Sequence, residues 1–389
     1  MHPGKHIMTQ YQHRMQRFQS LIAGAADLVF CHIGTDLDYL TGIHRDIPNY
    51  GRTLHPGAWI EGAWLSAERG PILTLPRMTA EFALGGSTAG FDLRVLGDWD
   101  DPAALVKGII ADMKLPPSPR IAVSDNAEAQ SLIELQRLVP DARFVSATAI
   151  LRRLRVIKDA QEIETMRAAG AITEAALADV IATLKLGMTE LDLITEIDFQ
   201  MKRHGSLGPS FTTSLYNTGP GYRLMLGDRL GSWPRRLDGP VSVLLDFGAV
   251  HDGMCYDYGR TIAFGAPGAE QIKVHALIMA AQAAGIAALK AGEMTCAAVD
   301  QAARDVIEDA GYGKAFRHRL GHAIGADVHE PPFLTRGSDT VVQDGMIFTV
   351  EPSILNEDSF SARVEDCILV RPGGGEKLTN AFQELIVVE

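Results

Sequence analysis

Short apolar runs alternate with helical patterning through the first 150 residues. Asp27–Cys31 (DLVFC), Ala63–Leu65, Pro71–Leu75 (PILTL) and Ile121–Val123 are compact apolar runs bounded by glycine, proline or polar positions, and they read as strands. Pro102–Met113 and Ala127–Leu138 carry apolar residues at helical spacing instead. The alternation predicts an α/β domain with a mixed sheet. Pro116-Pro117-Ser118-Pro119 is expected to be a rigid surface loop within it, because the following strand resumes the same pattern.

A helical stretch opens near Ser146 (ILRRLRVIKDAQEIETMRAAG…), breaks around Lys158-Asp159 and continues at helical spacing to Gly187. The domain boundary is placed inside it, giving domains over residues 1–150 and 151–389. From Val241 the pattern changes. Strands (VSVLLDFGAV, GRTIAFG) precede long helices over 270–290 and 297–310, and strands return in MIFTVEPSI and ARVEDCILV. That is an α+β order.

A chain of 389 residues with 46% hydrophobic and 22% charged residues is long enough for two such domains. The formal net charge of −12 argues against a nucleic-acid partner, which would need a basic face. The one basic cluster, Arg152-Arg153-Leu154-Arg155 with Lys158, is read as a solvated helix face. Four scattered cysteines (Cys31, Cys255, Cys296, Cys367) form no CxxC pair, which fits a reducing compartment and no thiolate metal site. The polar N-terminus lacks an apolar signal core, and no run approaches the roughly 20 apolar residues of a membrane span. A cytoplasmic protein with no membrane partner is expected.

The chemistry concentrates in four stretches. In LLDFGAVHDGMCYDYGRT, Asp246 ends an apolar strand and Asp257 follows eleven residues later, past an Asp252-Gly253 turn signal. A hairpin folded at that turn returns the second carboxylate beside the first. Two carboxylates buried together repel unless a cation lies between them, although either aspartate alone could simply cap a turn. HRLGHAIGADVHEPPF holds His318, His322 and His329 within twelve residues among glycines. Imidazole is a common ligand for first-row metals, and the spacing is not HExxH. FTVEPSI and ARVEDCILV each set a glutamate, Glu351 or Glu365, in an apolar run. An edge strand would explain that, but beside the aspartates and histidine these residues make an oxygen-rich set suited to two divalent ions.

These four stretches resemble the pita-bread family of metallopeptidases and creatinase-like enzymes, which includes prolidase, aminopeptidase P and methionine aminopeptidase. RRLRVIKDAQEIETMRAAGAIT resembles the helix that opens the catalytic domain. DLDYLTGI (Asp36–Ile43) resembles a segment of the prolidase and creatinase N-terminal domain, which methionine aminopeptidase lacks. The resemblance covers nearly the whole chain. It implies an N-terminal α/β creatinase-like domain followed by a C-terminal pita-bread catalytic domain. It also implies two metal ions: Asp246 chelating one, Asp257 and Glu365 bridging both, His322 and Glu351 holding the other. A water or hydroxide between the ions would be the nucleophile, and Glu351 would take its proton. His329 would hydrogen-bond the substrate carbonyl or tetrahedral intermediate, with His318 and Arg363 in supporting places. Oxygen-rich ligation suits manganese, with iron, cobalt and zinc as further candidates. Creatinase cleaves without metal on this fold, but all five ligand positions are filled here.

The activity implied is hydrolysis of an Xaa-Pro bond in a short peptide. The alternatives are metal-dependent hydrolysis or lysis of a small non-peptide metabolite and, more remotely, a binding module on the same scaffold. Relatives are commonly homodimers sharing their active sites, and His44–Thr53 (HRDIPNYGRT) is the candidate shared wall. One departure stands out. Prolidase relatives carry a further histidine before the first metal aspartate, yet SLYNTGPGYRLMLGDRLGSWPRRLDGP has none. An ungapped count puts that position at Leu226, and Tyr222, Arg223 or Trp233 are candidates to line the pocket in its place.

Overall fold

The computed structural model describes residues 4–43, 55–83, 91–357 and 359–389, and it divides into two compact units, Met1–Arg155 and Val156–Glu389. The proposed shared wall, His44–Thr53, lies outside the described residues.

In the first unit the apolar runs form strands β1 (Leu28–His32), β2 (Gly62–Leu65), β3 (Ile72–Pro76), β4 (Asp92–Leu96), β5 (Arg120–Val123) and β6 (Arg143–Ser146). They make one sheet in the order β4-β3-β2-β1-β5-β6. The β1–β2 and β2–β3 pairs are antiparallel and the rest parallel, so the sheet is mixed. Helices α1 (Gly4–Ile22), α2 (Thr35–Thr41), α3 (Arg77–Ala83), α4 (Pro102–Met113), α5 (Ala129–Leu138) and α6 (Ala147–Arg155) complete the unit. Strand alternation sends Leu28, Phe30, Trp64 and Ile72 into one core with Val106 and Leu135, and Ala63, Leu73 and Leu75 into another with Leu37. The two strands that sequence periodicity misses, β4 and β6, are the sheet's edges. β6 alternates exposed and half-buried residues, and β4 exposes Asp92 and Val95 and carries Arg94 between them, so neither presents an apolar run.

The basic cluster is only half solvated. Arg152 and Arg153 are exposed, but Arg155 is buried 3.0 Å from Asp36. Lys158 is buried too, its Nζ 3.5 Å from Glu330. Each of the two buried cations has a carboxylate partner, as burial requires.

The second unit opens with α7 (Ala160–Thr183). Its start is a capping box: Asp159 accepts from the Glu162 amide, and the Glu162 carboxylate accepts from Asp159. That box explains the break read at Lys158-Asp159. Then come α8 (Glu190–Arg203), β7 (Ser214–Thr218), α9 (Arg229–Ser232), β8 (Val241–Phe247), β9 (Val250–His251), β10 (Met254–Cys255) and β11 (Tyr258–Phe264). Helices α10 (Ala269–Ala288) and α11 (Cys296–Asp309) lead to β12 (Gly321–Ala323), β13 (Glu330–Leu334), β14 (Ile347–Val350), β15 (Ser353–Ile354), β16 (Ala362–Arg363), β17 (Asp366–Arg371), β18 (Gly374–Lys377) and β19 (Ile386–Val388). The main sheets run β19-β11-β8-β7 and β13-β12-β14-β17-β18. Val274, Ile278, Val299 and Ala303 of α10 and α11 share a core with Ala323, Phe348, Val350 and Ile368 of the five-stranded sheet. No described helix is long and apolar enough to cross a membrane. All four cysteines are buried and free.

Candidate metal centre

The carboxylates converge because two strand pairs deliver them. β9 and β10 fold back at Asp252 and Gly253, whose positive φ values of 44° and 75° are those of a tight hairpin turn. The chain then returns as β11, antiparallel to β8, with Gly259 opposite Asp246 and Tyr258 opposite Phe247. Asp257 therefore arrives beside Asp246. Gly259 also pairs with Glu365, its N–H donating to the Glu365 carbonyl at 3.2 Å and its carbonyl accepting at 2.9 Å. A side chain at Gly259 would meet Glu365 Cβ at 3.0 Å and Oε2 at 3.2 Å, so glycine makes room for that carboxylate.

Glu351 directly follows β14, and Glu365 lies between β16 and β17. Both are buried, so neither sits on an exposed edge. His322 lies on β12, next to β14. Single ligand atoms of Asp246, Asp257 and Glu365 lie within 4.8 Å of one another, as do those of His322, Glu351 and Glu365, and those of Asp257, His322 and His329. The structure thus brings together all five sequence-predicted ligands, with His329 at the His322 end.

The donor set fits cations on three counts. Asp257 Oδ1 and Glu365 Oε2 are buried with no hydrogen-bond partner. Burial, then the neighbouring carboxylates, push the Asp257 and Glu365 carboxyls well above their usual range, a cost that a bound cation removes. His322 Nδ1 donates to the Ala323 carbonyl at 3.2 Å, which leaves the Nε2 lone pair facing Glu351 Oε1 at 3.5 Å and Asp257 Oδ2 at 3.6 Å. A lone pair facing two carboxylates is repulsive unless a cation lies between, and a second-ring-nitrogen bond to a carbonyl is how metal-ligating histidines are held.

The supporting residues sit at the two ends. Arg363 Nη1 donates to Asp246 Oδ2 at 2.6 Å, while its Nη2 is 3.5 Å from His318 Nε2. Burial works against the Arg363 charge, but Asp246, Glu351 and Glu365 outweigh it and hold the guanidinium protonated. His318 Nδ1 donates to the Arg319 carbonyl at 2.7 Å, and Nε2 contacts the Ser353 hydroxyl. Burial, then Arg363, lower its pKa to about 4, so it is neutral. At the other end the partly exposed His329 ring meets His322 edge-on, 4.1 Å between centroids. Burial, then His322, lower its pKa to about 4 as well.

Tyr222 and Arg223 lie elsewhere. The Tyr222 hydroxyl accepts from the Asp238 amide, and Arg235 sits over its ring. The Arg223 carbonyl accepts from Arg235, while its side chain is exposed along a groove with Arg317 and Glu357. Among the described residues neither bonds to the five ligands. The residue that sequence reasoning missed is Tyr216 on β7, whose ring lies 5.8 Å from the Arg363 guanidinium. Its signal was faint: a lone aromatic in SLYNT, on the same face as Asp246 once β7 pairs with β8.

Four carboxylates and a histidine with overlapping ligand atoms make a donor set that could hold metal ions, the arrangement that metal-dependent hydrolases use. The chain belongs to metallopeptidase family M24, whose model matches residues 164–372, and it carries a creatinase/prolidase N-terminal domain over residues 14–157. An Xaa-Pro dipeptidase of Lactobacillus helveticus is 30% identical to it over 365 residues, 93% of this chain and 95% of that one. The crystal structure of a dipeptidase from Pyrococcus horikoshii superposes with a TM-score of 0.82 at 28% identity, covering 96% of this chain and 100% of that one. A prolidase from Thermococcus sibiricus gives 0.83 at 26% identity, with 97% and 99% covered.

Proposed function

We propose that this protein is an Xaa-Pro dipeptidase that hydrolyses short peptides with two divalent ions, manganese first among the candidates. The observation that carries the reading is the pair of orphaned, buried oxygens, Asp257 Oδ1 and Glu365 Oε2, on the two carboxylates that would bridge the ions. Asp246 would hold one ion, His322 and Glu351 the other. Bound there, the ions would supply an acidified water and positive charge for the developing oxyanion. Glu351, beside the place where an ion-bound water would sit, would be the group to accept that water's proton. Neutral His329, partly exposed beside His322, can offer an N–H to a substrate carbonyl. His318 and Arg363 would orient Asp246 rather than touch substrate.

A homodimer and a cytoplasmic location belong to the same proposal, the latter supported by four free cysteines. The test is metal analysis of the purified protein, then assay of an Xaa-Pro dipeptide panel with the metal restored. Two ions per chain and cleavage of Xaa-Pro dipeptides are expected. Fewer than two ions at saturation, or cleavage of no dipeptide in the panel, would sink the reading.

A further inference from the structure

Thr349 lies on β14, two residues before Glu351, and is fully buried. Its neighbours Phe348 and Val350 point into the core shared with α10 and α11. Strand alternation therefore leaves Thr349 on the other face, the one that carries the metal centre. The antiparallel strand β12 is drawn in close at this point. A side chain at Gly321 would meet the Thr349 carbonyl oxygen at 1.9 Å and its hydroxyl oxygen at 3.0 Å, so only glycine admits the approach. The Glu351 amide donates to the Leu320 carbonyl at 2.9 Å and ties the same two segments together.

The outcome is a closed ring of three residues. The His322 amide donates to Thr349 Oγ1 at 3.1 Å. The Thr349 hydroxyl donates to Glu351 Oε1 at 3.3 Å. That same carboxylate oxygen lies 3.5 Å from His322 Nε2. A hydroxyl has one proton to give and lone pairs to receive with, and here both capacities serve the two residues read as ligands of one ion. A free glutamate samples many rotamers, and an ion that captured it would have to freeze them. A carboxylate already turned toward His322 has lost that freedom before the ion arrives. Groups that hold ligands in this way commonly change metal affinity by about ten- to a hundredfold.

We infer that Thr349 is a positioning residue of the metal centre: its hydroxyl holds Glu351 and His322 in the orientation that binds their shared ion, and so raises the affinity of that site for a divalent cation. The inference rests on the two-ion reading proposed above. It concerns the affinity of one ion, and it assigns Thr349 no contact with the peptide.

The test equilibrates full-length wild type, Thr349→Val, Thr349→Ser and Thr349→Ala against chelator-buffered manganese and counts bound ions by elemental analysis. Thr349→Val keeps the shape of the side chain and removes the hydroxyl. Thr349→Ser and Thr349→Ala differ in the hydroxyl alone, so the comparison stands even if Thr349→Val does not fold. The free manganese concentration that half-fills one site should rise about tenfold or more in Thr349→Val and Thr349→Ala, and stay near the wild-type value in Thr349→Ser. A hydroxyl that served only the fold would lower the urea midpoint of the metal-free protein and leave the filling curve of folded protein unmoved. Coincident filling curves for Thr349→Ser and Thr349→Ala, or for wild type and Thr349→Val, would overturn the inference. That result leaves the two-ion reading intact as long as the wild type still takes up two ions per chain. A wild type that takes up one ion at saturation defeats the two-ion reading, and the same comparison on that ion then decides the role of Thr349. With no ion bound, both fall.

Discussion

Asp300 and Arg304, one turn apart on α11, form a two-point ion pair, Nε to Oδ2 at 2.8 Å and Nη2 to Oδ1 at 2.9 Å. Both are buried. The pair also grips the segment leading to the histidines: Arg304 donates to the carbonyls of Phe316 at 3.3 Å and His318 at 2.9 Å, and Asp300 accepts from the Leu320 amide at 2.9 Å. Arg304→Met leaves a buried carboxylate without its cation, a change that typically costs about 3–5 kcal/mol. A lowered urea midpoint is therefore expected. Adding Asp300→Leu to that variant should recover part of the loss, because no unpaired charge remains. Equal midpoints for wild type and Arg304→Met would show that the pair contributes nothing.

The ligand roles separate by metal content. Asp257, Glu365 and His322 each belong to two of the three overlapping ligand groups, but only the two carboxylates carry a buried oxygen without a hydrogen-bond partner, and only a carboxylate has two oxygens with which to hold two ions. Glu365→Ala or Asp257→Ala should lose both ions on gel filtration, while His322→Ala should keep about one per chain. Elemental analysis reads this directly. Two ions at full occupancy in Glu365→Ala would refute the bridging role.

How much of this was legible in the sequence depended on whether the information was local. The turn at Asp252-Gly253 is written in neighbouring residues and could be read, and so could the break at Lys158-Asp159, whose cause, the Asp159 capping box, the structure supplies. Glu351 and Glu365 stood out because carboxylates in apolar runs need a reason. β4 and β6 did not, because edge strands keep half their residues in water. Arg155 and Lys158 looked like surface residues because their partners, Asp36 and Glu330, lie far off in sequence. Tyr216 was overlooked for the same reason. Its place beside Arg363 exists only once β7 has paired with β8 and β16 has packed near them.

His329 is expected to act on the reaction and not on the metals. It stands at the His322 end, partly exposed and neutral. His329→Ala should lower kcat about a hundredfold or more, the usual scale for a positioned acid or hydrogen-bond donor, with metal content unchanged. An unaltered kcat in the fully loaded variant would reduce His329 to packing.

His275 on α10 makes stability depend on pH. Burial, then Arg260, lower its pKa to about 4 from the usual 6.5. The folded state therefore binds fewer protons than the unfolded chain between those values, so stability falls as pH drops through this window. The contribution reaches about 2 kcal/mol by pH 5 and is absent well above pH 6.5. His275→Gln should flatten the fall in urea midpoint between pH 7 and 5. Parallel curves for wild type and variant would place the pH dependence elsewhere.

The absent histidine sets the last expectation. No histidine lies between His204 and His251, the stretch where the resemblance to prolidases implies one. Leu226, which an ungapped count puts at that position, is 58% exposed and lines an outer groove with Arg223 and Arg317. At the Asp246 end of the centre the neighbours are the Arg363 guanidinium, already bonded to Asp246, and the Tyr216 ring. His318 is near as well, but its ring nitrogens are engaged by the Arg319 carbonyl and by Ser353. The reacting peptide thus loses one hydrogen-bonding partner on that side and keeps His329 on the other. Losing such a partner costs on the order of a hundredfold in rate. Xaa-Pro dipeptides should therefore be cleaved slowly, with kcat/KM below the ~10⁴–10⁸ M⁻¹s⁻¹ of typical enzymes, and mainly through a low kcat. Steady-state kinetics on the metal-loaded protein decide the matter. Turnover within that range would mean that another group, with Tyr216 the nearest candidate, fully replaces the histidine.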